Sequence, residues 1–483
     1  MFRVSAPPET PDVRPSRVRG GSRVVVIGGG PGGYEAALVA RQLGASVTLV
    51  ERSGLGGAAV LTDVVPSKTL IATAEWMTIT ESASELGIST GGTLTVDLRV
   101  VNQRVLELAA RQSADIRERL EAEGVRVLDG VARLGASLHD RGAREVVVGT
   151  TDGGHVLEAE VVLLATGASP RVLPDAAPDG ERIMTWAQLY RLDALPEHLV
   201  VVGSGVTGAE FAGAYNVLGA RVTLVSSRDR VLPGEDEEAA ALIESVFRRR
   251  GMTVLSRSRA AAVRRTGDGV EVLLTDGRVV RGSHCLVAVG AVPNTAGIGL
   301  EEAGVQLTDS GHVVVDRVSR TTAFRVYAAG DCTGVMPLAS VAAMQGRIAM
   351  WHALGDAVAP LDTHAVAANI FTAPEIATIG TSERAIRDGE VDGRITRLPV
   401  ARNPRAKMLG IREGFIKVFS DRSTGVVLGG VVVAPRAGEL IFPLTLAVTN
   451  RLTVDQVANA FTIYPSLTGS LSEAARTLHT AQG

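Results

Sequence analysis

One supersecondary unit is written twice in this chain. Residues 22–52 read SRVVVIGGGPGGYEAALVARQLGASVTLVER, and residues 198–227 read HLVVVGSGVTGAEFAGAYNVLGARVTLVSS. Each has a short apolar run, a glycine-rich turn, an amphipathic stretch, Leu-Gly-Ala and a second apolar run. That is the pattern of a βαβ unit, and a repeat of it predicts two separate nucleotide-binding domains. A length of 483 residues agrees, because a single core seldom grows past roughly 250–300 residues. The fold class predicted is α/β, with two Rossmann-like domains.

The turns carry the chemistry. In the first, Gly28, Gly30 and Gly33 stand in the G-x-G-x-x-G spacing between a strand and a helix, with Pro31 opening the helix. The first glycine allows the tight turn, the second lets the backbone approach a pyrophosphate, and the third lets helix and strand pack closely. The phosphates then meet the positive end of the helix dipole. Glu51, followed by Arg52, ends the second strand, where an acid accepts hydrogen bonds from an adenosine ribose. In the second turn the same positions are Gly203, Gly205 and Gly208, with Val206 at the helix start. Superposing the repeats sets Ser226 opposite Glu51, followed by Ser227, Arg228 and Arg230. An acid here repels a 2'-phosphate, whereas small polar residues and arginine accommodate one, so the second domain is expected to prefer NADPH to NADH.

Between and after the repeats, residues 103–124 have helical periodicity, and 145–148 and 156–164 read as strands. Strands at 285–290 and 325–329 are expected to return to the first domain. Near the C-terminus, 415–419 and 426–433 read as strands and 438–450 as a helix. The expected division is a disordered tail at 1–21, a first nucleotide-binding domain at 22–185 resumed at 282–360, a second at 186–281, and a last domain at 361–483. A net charge of −3 gives no reason to expect nucleic acid as a partner. No apolar run reaches the roughly 18 residues of a transmembrane helix, and no secretory h-region is present. Two cysteines, Cys285 and Cys332, fit a reducing, cytoplasmic setting.

The segment from Gly56 to Lys68, GGAAVLTDVVPSK, resembles the redox-active stretch of the flavoprotein disulfide reductases, the family of dihydrolipoamide dehydrogenase and glutathione reductase. The resemblance covers nearly everything from Arg23 onward and implies an α+β C-terminal dimerisation domain and a homodimer. It implies FAD in the first domain. Ala165-Thr166-Gly167 resembles a turn bordering that nucleotide, and Ala328-Ala329-Gly330-Asp331 resembles the motif whose acid bonds the ribityl chain. Leu338, Ala339 and Ser340 then place backbone amides near the flavin pyrimidine, and Gly57, Ala58 and Ala132 join the cofactor contacts. The resemblance also implies that Lys68 sits near flavin N5, paired with Glu210, so that a cation favours the reduced ring and the carboxylate neutralises it. Gly290 opens a G-R-x-P-N-T-like turn in which the arginine is Ala291. The segment Phe371–Ile376 leads to Thr378 and Ile379, expected near the nicotinamide.

The family's dithiol apparatus is missing. Its two cysteine positions are Ala59 and Val64, its histidine is Tyr464, and the histidine's glutamate falls on Gly469, with Glu473 available only through an insertion. A tyrosine, with a free pKa of about 10, is poorly matched to deprotonating thiols. Ala59, Val64 and Tyr464 are expected to line a small apolar pocket suited to a flat acceptor such as a quinone. This cysteine-free pattern is similar to the actinobacterial branch of NAD(P)H:quinone reductases. The function implied is a quinone-reducing NAD(P)H dehydrogenase with catalytic residues Lys68, Glu210 and Tyr464 and no metal. Tyr464 either donates a proton or fills the volume of the lost imidazole. The rivals are a soluble pyridine nucleotide transhydrogenase and a flavin-binding structural or regulatory subunit without catalysis.

Overall fold

The computed structural model describes residues 21–479 other than 82, 90, 93, 139–141 and 152. The tail expected at 1–21 lies outside the described residues except for Gly21. The chain forms two compact units. One runs through Leu55 and takes in Asp115–Gly167 and Pro293–Leu361; the other comprises Gly56–Ala114, Ala168–Val292 and Asp362–Gly483.

The first unit is built on a five-stranded parallel sheet in the order Val326–Ala328, Val161–Leu164, Arg23–Ile27, Ser46–Glu51 and Arg126–Asp129. A parallel sheet covered on both faces needs continuous apolar strands, and Val24–Ile27 and Val161–Leu164 are buried at every residue. Helices Pro31–Gln42 and Ala339–Leu354 pack closely together. A Cβ on Gly346 would stand 2.1 Å from the carbonyl oxygen of Gly32, so their backbones touch where they cross. An antiparallel sheet of Val131–Leu138, Ala143–Thr150 and Gly153–Ala159 sends Leu134, Val146 and Val148 into a core with Val25, Ile27, Val162 and Leu164. The single run expected at 156–164 is thus two strands that serve different sheets and part at Glu160.

The second unit repeats the architecture. Its parallel sheet has the order Thr253–Leu255, Arg221–Val225, His198–Val202, His284–Val287 and Ile183–Met184. This corrects one expectation: the strand at Cys285 does not return to the first sheet but pairs with the second, Val200 opposite Cys285 and Val202 opposite Val287. The strand at 326–328 does join the first sheet. Helix Leu98–Ala122 starts earlier than its periodicity suggested, directly after Asp97, whose carboxylate accepts from the amides of Arg99 and Val100.

The C-terminal part of this unit is an antiparallel sheet ordered Ala368–Ile370, Glu375–Gly380, Val427–Ala434, Phe415–Asp421 and Gly393–Pro399. Short helices, among them Gly469–Arg476, pack on it around Leu444, Ala447, Leu471 and Ala474. The helix expected at 438–450 is broken into Ala437–Leu440 and Phe442–Thr449. Pro443 lies in the first turn of the second piece, the one place in a helix where a residue without an amide hydrogen costs nothing. No described helix is long and apolar enough to cross a membrane.

Candidate functional site

The first turn has the geometry its spacing predicts. A Cβ on Gly28 would lie 2.1 Å from the Ala165 carbonyl oxygen, and one on Gly33 would lie 1.9 Å from that of Gly28. Both positions are closed to any side chain. Gly30, the N-cap of helix Pro31–Gln42, faces open space instead, with nothing within 4 Å of an added Cβ. The helix has no side-chain cap; Pro31 has no amide hydrogen and the Gly33 and Tyr34 amides donate to the Gly30 carbonyl, which leaves the Gly32 amide for an anion. Glu51 is buried and held on both oxygens: one accepts from Gly29 N at 2.6 Å, the other from Ser53 N at 2.7 Å. The carboxylate is locked in place and has further lone pairs for a ribose. Arg52 beside it is exposed.

In the same unit, Thr166 and Gly167 follow the strand Val161–Leu164 beside this turn, and the Asn294 side chain donates to the Thr166 carbonyl at 2.9 Å. Asp331 opens a short turn at Asp331–Thr333, after Gly330, whose amide donates to Gln345 Oε1 at 2.8 Å. Burial raises the Asp331 carboxyl above the usual range, partly offset by His312. Leu338 caps helix Ala339–Leu354 with no side-chain bond, leaving another set of amides open. Ala132 is buried in the core, which restricts it to a packing or main-chain role.

The second turn repeats the first. Cβ atoms on Gly203 and Gly208 would meet carbonyl oxygens at 2.1 Å and 1.9 Å, whereas Gly205 faces open space at the start of helix Val206–Val217. Ser226 is fully buried and its hydroxyl is turned inward, 2.6 Å from Ser204 Oγ and accepting from Arg228 N at 3.1 Å. What the substitution of serine for an acid does here is remove a carboxylate; the hydroxyl itself is committed to the turn. Ser227 and Arg228 are exposed, whereas Arg230 pairs with Glu237 at 3.0 Å. Gly290, with φ of 95°, is exposed and open above its Cα.

Lys68 and Glu210 meet in the second unit. Lys68 lies one turn into helix Val64–Glu81, and its Nζ is 2.8 Å from Glu210 Oε2 on helix Val206–Val217. The lysine side chain is 26% exposed and the glutamate 4%. The other oxygen, Oε1, accepts from Phe371 N at 2.9 Å, and the Phe371 ring lies under the ammonium with Nζ 4.8 Å from its centroid. The carboxylate is therefore satisfied on both sides, while one face of the cation stays open to what approaches it. Tyr190 is buried close by, and its phenol is pushed well above its ordinary value, first by burial and then by the charges of Asp63 and Glu210. Neither Phe371 nor Tyr190 has a role assigned by sequence reasoning. The signal for Phe371 was its place at the head of the Phe-Thr-Ala-Pro-Glu segment; Tyr190 carries none.

The expected acceptor residues Ala59, Val64 and Tyr464 are all at least partly exposed in the single chain. Gly57 and Ala59 lie in the short helix Gly57–Leu61, where Ala58 is exposed, and Val64 begins the next helix, partly exposed. Tyr464 is 83% exposed, flanked by Phe461 at 107% and Ile463 at 82%. Glu473 is paired with Arg476 at 2.6 Å, and that hydrogen bond lowers its carboxyl. Ile379 is buried in the C-terminal core, so of the pair it forms with Thr378 the threonine is the more accessible. Cys285 and Cys332 are free and fully buried, and burial raises both thiols.

A family model described as pyridine nucleotide-disulphide oxidoreductase matches residues 22–346, and the family's dimerisation domain matches residues 366–475. The chain belongs to the pyridine nucleotide-disulphide oxidoreductase family. Over 462 residues it is 54% identical to the NAD(P)H dehydrogenase (quinone) of Mycobacterium tuberculosis, covering 95% of this chain and 94% of that one. The crystal structure of LpdA from the same organism matches with a TM-score of 0.91 at 53% identity, covering 95% of this chain and all of the other. The dihydrolipoyl dehydrogenase of Zymomonas mobilis is 34% identical over 456 residues, 93% of this chain and 96% of its own. FAD and NAD(P)H are the cofactors of this family, and the two open, uncapped helix starts at Gly30 and Gly205 fit their pyrophosphates.

Proposed function

We propose that the chain is an FAD-dependent NAD(P)H:quinone oxidoreductase that works as a homodimer and without a redox dithiol. One observation carries the reading. The Lys68–Glu210 pair is intact at 2.8 Å, while Ala59 and Val64 stand where the family's two cysteines belong. Apparatus for hydride transfer is retained and apparatus for disulfide exchange is lost. The name of the mycobacterial relative, NAD(P)H dehydrogenase (quinone), supports the same reading.

The bound flavin supplies the capacity to take a hydride from the reduced nicotinamide and to pass two electrons to the acceptor. The chain's own residues prepare the sites. The turns at Gly28–Gly33 and Gly203–Gly208 hold the two pyrophosphates against helix N-termini. Glu51 receives the first adenosine ribose; Asp331 and the amides after Leu338 serve the flavin chain and ring. The family resemblance gives Lys68 the flavin N5 edge, where a fixed cation favours the reduced ring, and Glu210 keeps that ammonium in place. Gly57, Ala58, Thr166 and Gly167 complete the proposed flavin contacts, and Gly290 and the Thr378–Ile379 segment the proposed nicotinamide contacts. NADPH is the proposed donor, because Ser226, Ser227 and Arg228 stand where an acid would exclude the 2'-phosphate. Tyr464 is proposed to reach the acceptor pocket of the other protomer. The proposed division keeps the first nucleotide-binding domain in two segments, extends the second through Val287, and assigns 361–483 to dimerisation. A cytoplasmic setting, read from the scarce cysteines, belongs to the same proposal.

The test is anaerobic stopped-flow mixing of the purified holoenzyme with NADPH, then with a benzoquinone. Rapid flavin bleaching followed by rapid reoxidation is the expected result. Reoxidation by NAD but not by quinone would replace this reading with a transhydrogenase.

A further inference from the structure

The last turn of the second nucleotide sheet brings two arginines together that lie far apart in sequence. Strands Arg221–Val225 and Thr253–Leu255 run parallel, with Val225 opposite Leu255. Beyond that pair the two chains stay joined by three main-chain hydrogen bonds: Ser226 N to Leu255 O at 2.8 Å, Ser258 N to Ser226 O at 2.7 Å, and Arg257 N to Arg228 O at 2.7 Å. Arg228 and Arg257 therefore sit side by side at the carboxyl edge of the sheet. In a doubly wound sheet, nucleotides bind at that edge.

Arg257 holds an unusual backbone conformation, with φ of 51°. Residues other than glycine seldom adopt it, and the bond to Arg228 is what fixes it here. Both arginines are exposed, and among the described residues neither guanidinium has a hydrogen bond or an ion pair. Their neighbours differ. Arg230 is held by Glu237, and Arg278 is held by Asp276 and by the Ser258 hydroxyl. The Ser226 hydroxyl, at the position that meets the ribose in the first domain, is buried and spent on Ser204 and on the main chain of Arg228 and Arg230. Recognition at this edge falls to the two free cations.

We propose that Arg257 is a specificity-determining residue that clamps a 2'-phosphomonoester on the adenosine ribose together with Arg228; this rests on the reading that the second domain takes NADPH. Two planar guanidiniums match the oxygens of a phosphate dianion in a way that one cannot, and neither has to leave another partner to do so.

Calorimetric titration of the holoenzyme with adenosine 2',5'-bisphosphate and with ADP tests the clamp without turnover. The variants are Arg228→Ala, Arg257→Ala and Arg257→Gly. Glycine accepts the positive φ, so it removes the guanidinium and leaves the backbone free to keep its shape. Arg257→Gly is expected to weaken the bisphosphate by about tenfold or more, as loss of a charged hydrogen bond does, and to leave ADP unchanged. Arg257→Lys is expected to recover part of the loss. If Arg257→Gly binds the bisphosphate as wild type does while Arg228→Ala binds it weakly, Arg228 acts alone and the inference is overturned. If the wild-type protein itself binds both ligands equally, the NADPH reading fails, and the clamp with it.

Discussion

The Lys68 ammonium is held by three groups of different kinds: a carboxylate, an aromatic face, and, through that carboxylate, the Phe371 amide. Lys68→Met removes the cation and leaves Glu210 buried with one hydrogen-bond donor. Because the lysine is partly exposed, the stability cost is discounted from that of a fully buried pair to about 1–2 kcal/mol. The larger effect is expected on chemistry, with the first-order rate of flavin bleaching by NADPH falling by roughly 10²-fold, as when a fixed electrostatic donor is lost. Anaerobic stopped-flow absorbance reads this directly, and an unchanged rate would remove Lys68 from the mechanism. Phe371→Leu keeps the amide and loses only the ring, so its cost is limited to about 1 kcal/mol of cation–π attraction. At this scale the pairing of Lys68 with Glu210 was readable, because a motif carried each residue. It was not readable where the outcome depends on a side chain from elsewhere: the Phe371 ring under Lys68, or Arg257 beside Arg228. The inward turn of the Ser226 hydroxyl depends on Ser204 in the same way.

Elements were legible in proportion to their internal signal. The repeat identified both βαβ units, because strand, turn and helix each leave a pattern of their own. The strand at Cys285 was assigned to the wrong sheet because a short apolar run says that it is buried and not which strand it pairs with. Its correct place has a measurable consequence. His284 starts that strand beside Arg182, with Nε2 3.1 Å from Arg182 Nη1. Burial, then the Arg182 charge, depress the imidazole to about 4 from 6.5. Between those values the unfolded chain binds a proton that the folded chain does not, so stability rises with pH; the contribution is complete above the unfolded value and lost as pH falls toward the folded one. Because the ring is only half buried, the full shift is discounted for solvent screening, to a contribution on the order of 1–2 kcal/mol. His284→Gln should therefore shrink the difference in thermal midpoint between about pH 7.5 and about pH 5; an undiminished difference would assign the acid sensitivity to other groups. Lys417 is buried on strand Phe415–Asp421 against Asp236 at 2.9 Å and Glu383 at 2.5 Å. Burial alone would lower its pKa, but these hydrogen bonds raise it. Lys417→Met leaves Asp236 with only its helix-cap bonds from Glu238 N and Ala239 N, and Glu383 with only Arg387; it is expected to cost about 2–3 kcal/mol in urea unfolding, with Glu383→Gln added to it recovering part of the loss.

At the scale of the whole molecule, the question is what covers the apolar surface that a single chain leaves bare. Phe461, Ile463, Tyr464 and Phe442 are all more than half exposed in the part of the chain that matches the family's dimerisation domain. Solvent does not favour such a group of large apolar side chains, and a second copy of the chain is the partner that the family match supplies. Tyr464 then has two duties in the proposed enzyme, interface and acceptor pocket, and different substitutions separate them. Phe461→Asp with Ile463→Asp places charge in the interface and should give a monomer in sedimentation velocity. The glycine turns and the Lys68–Glu210 pair do not involve those residues, so NADPH should still bleach the flavin, while quinone reduction is lost with the partner's tyrosine. Tyr464→Phe leaves the apolar volume in place and removes only the hydroxyl, so it should stay dimeric. A fall in quinone turnover in that variant, with flavin bleaching unchanged, assigns the hydroxyl a role in protonating the acceptor; full turnover leaves it as a filler of the space that an imidazole occupies in the dithiol enzymes. Should the doubly charged variant turn over quinone as a monomer, the acceptor pocket does not depend on the second protomer, and Ala59 and Val64 must form it within one chain; should it remain dimeric, the interface is held by other residues.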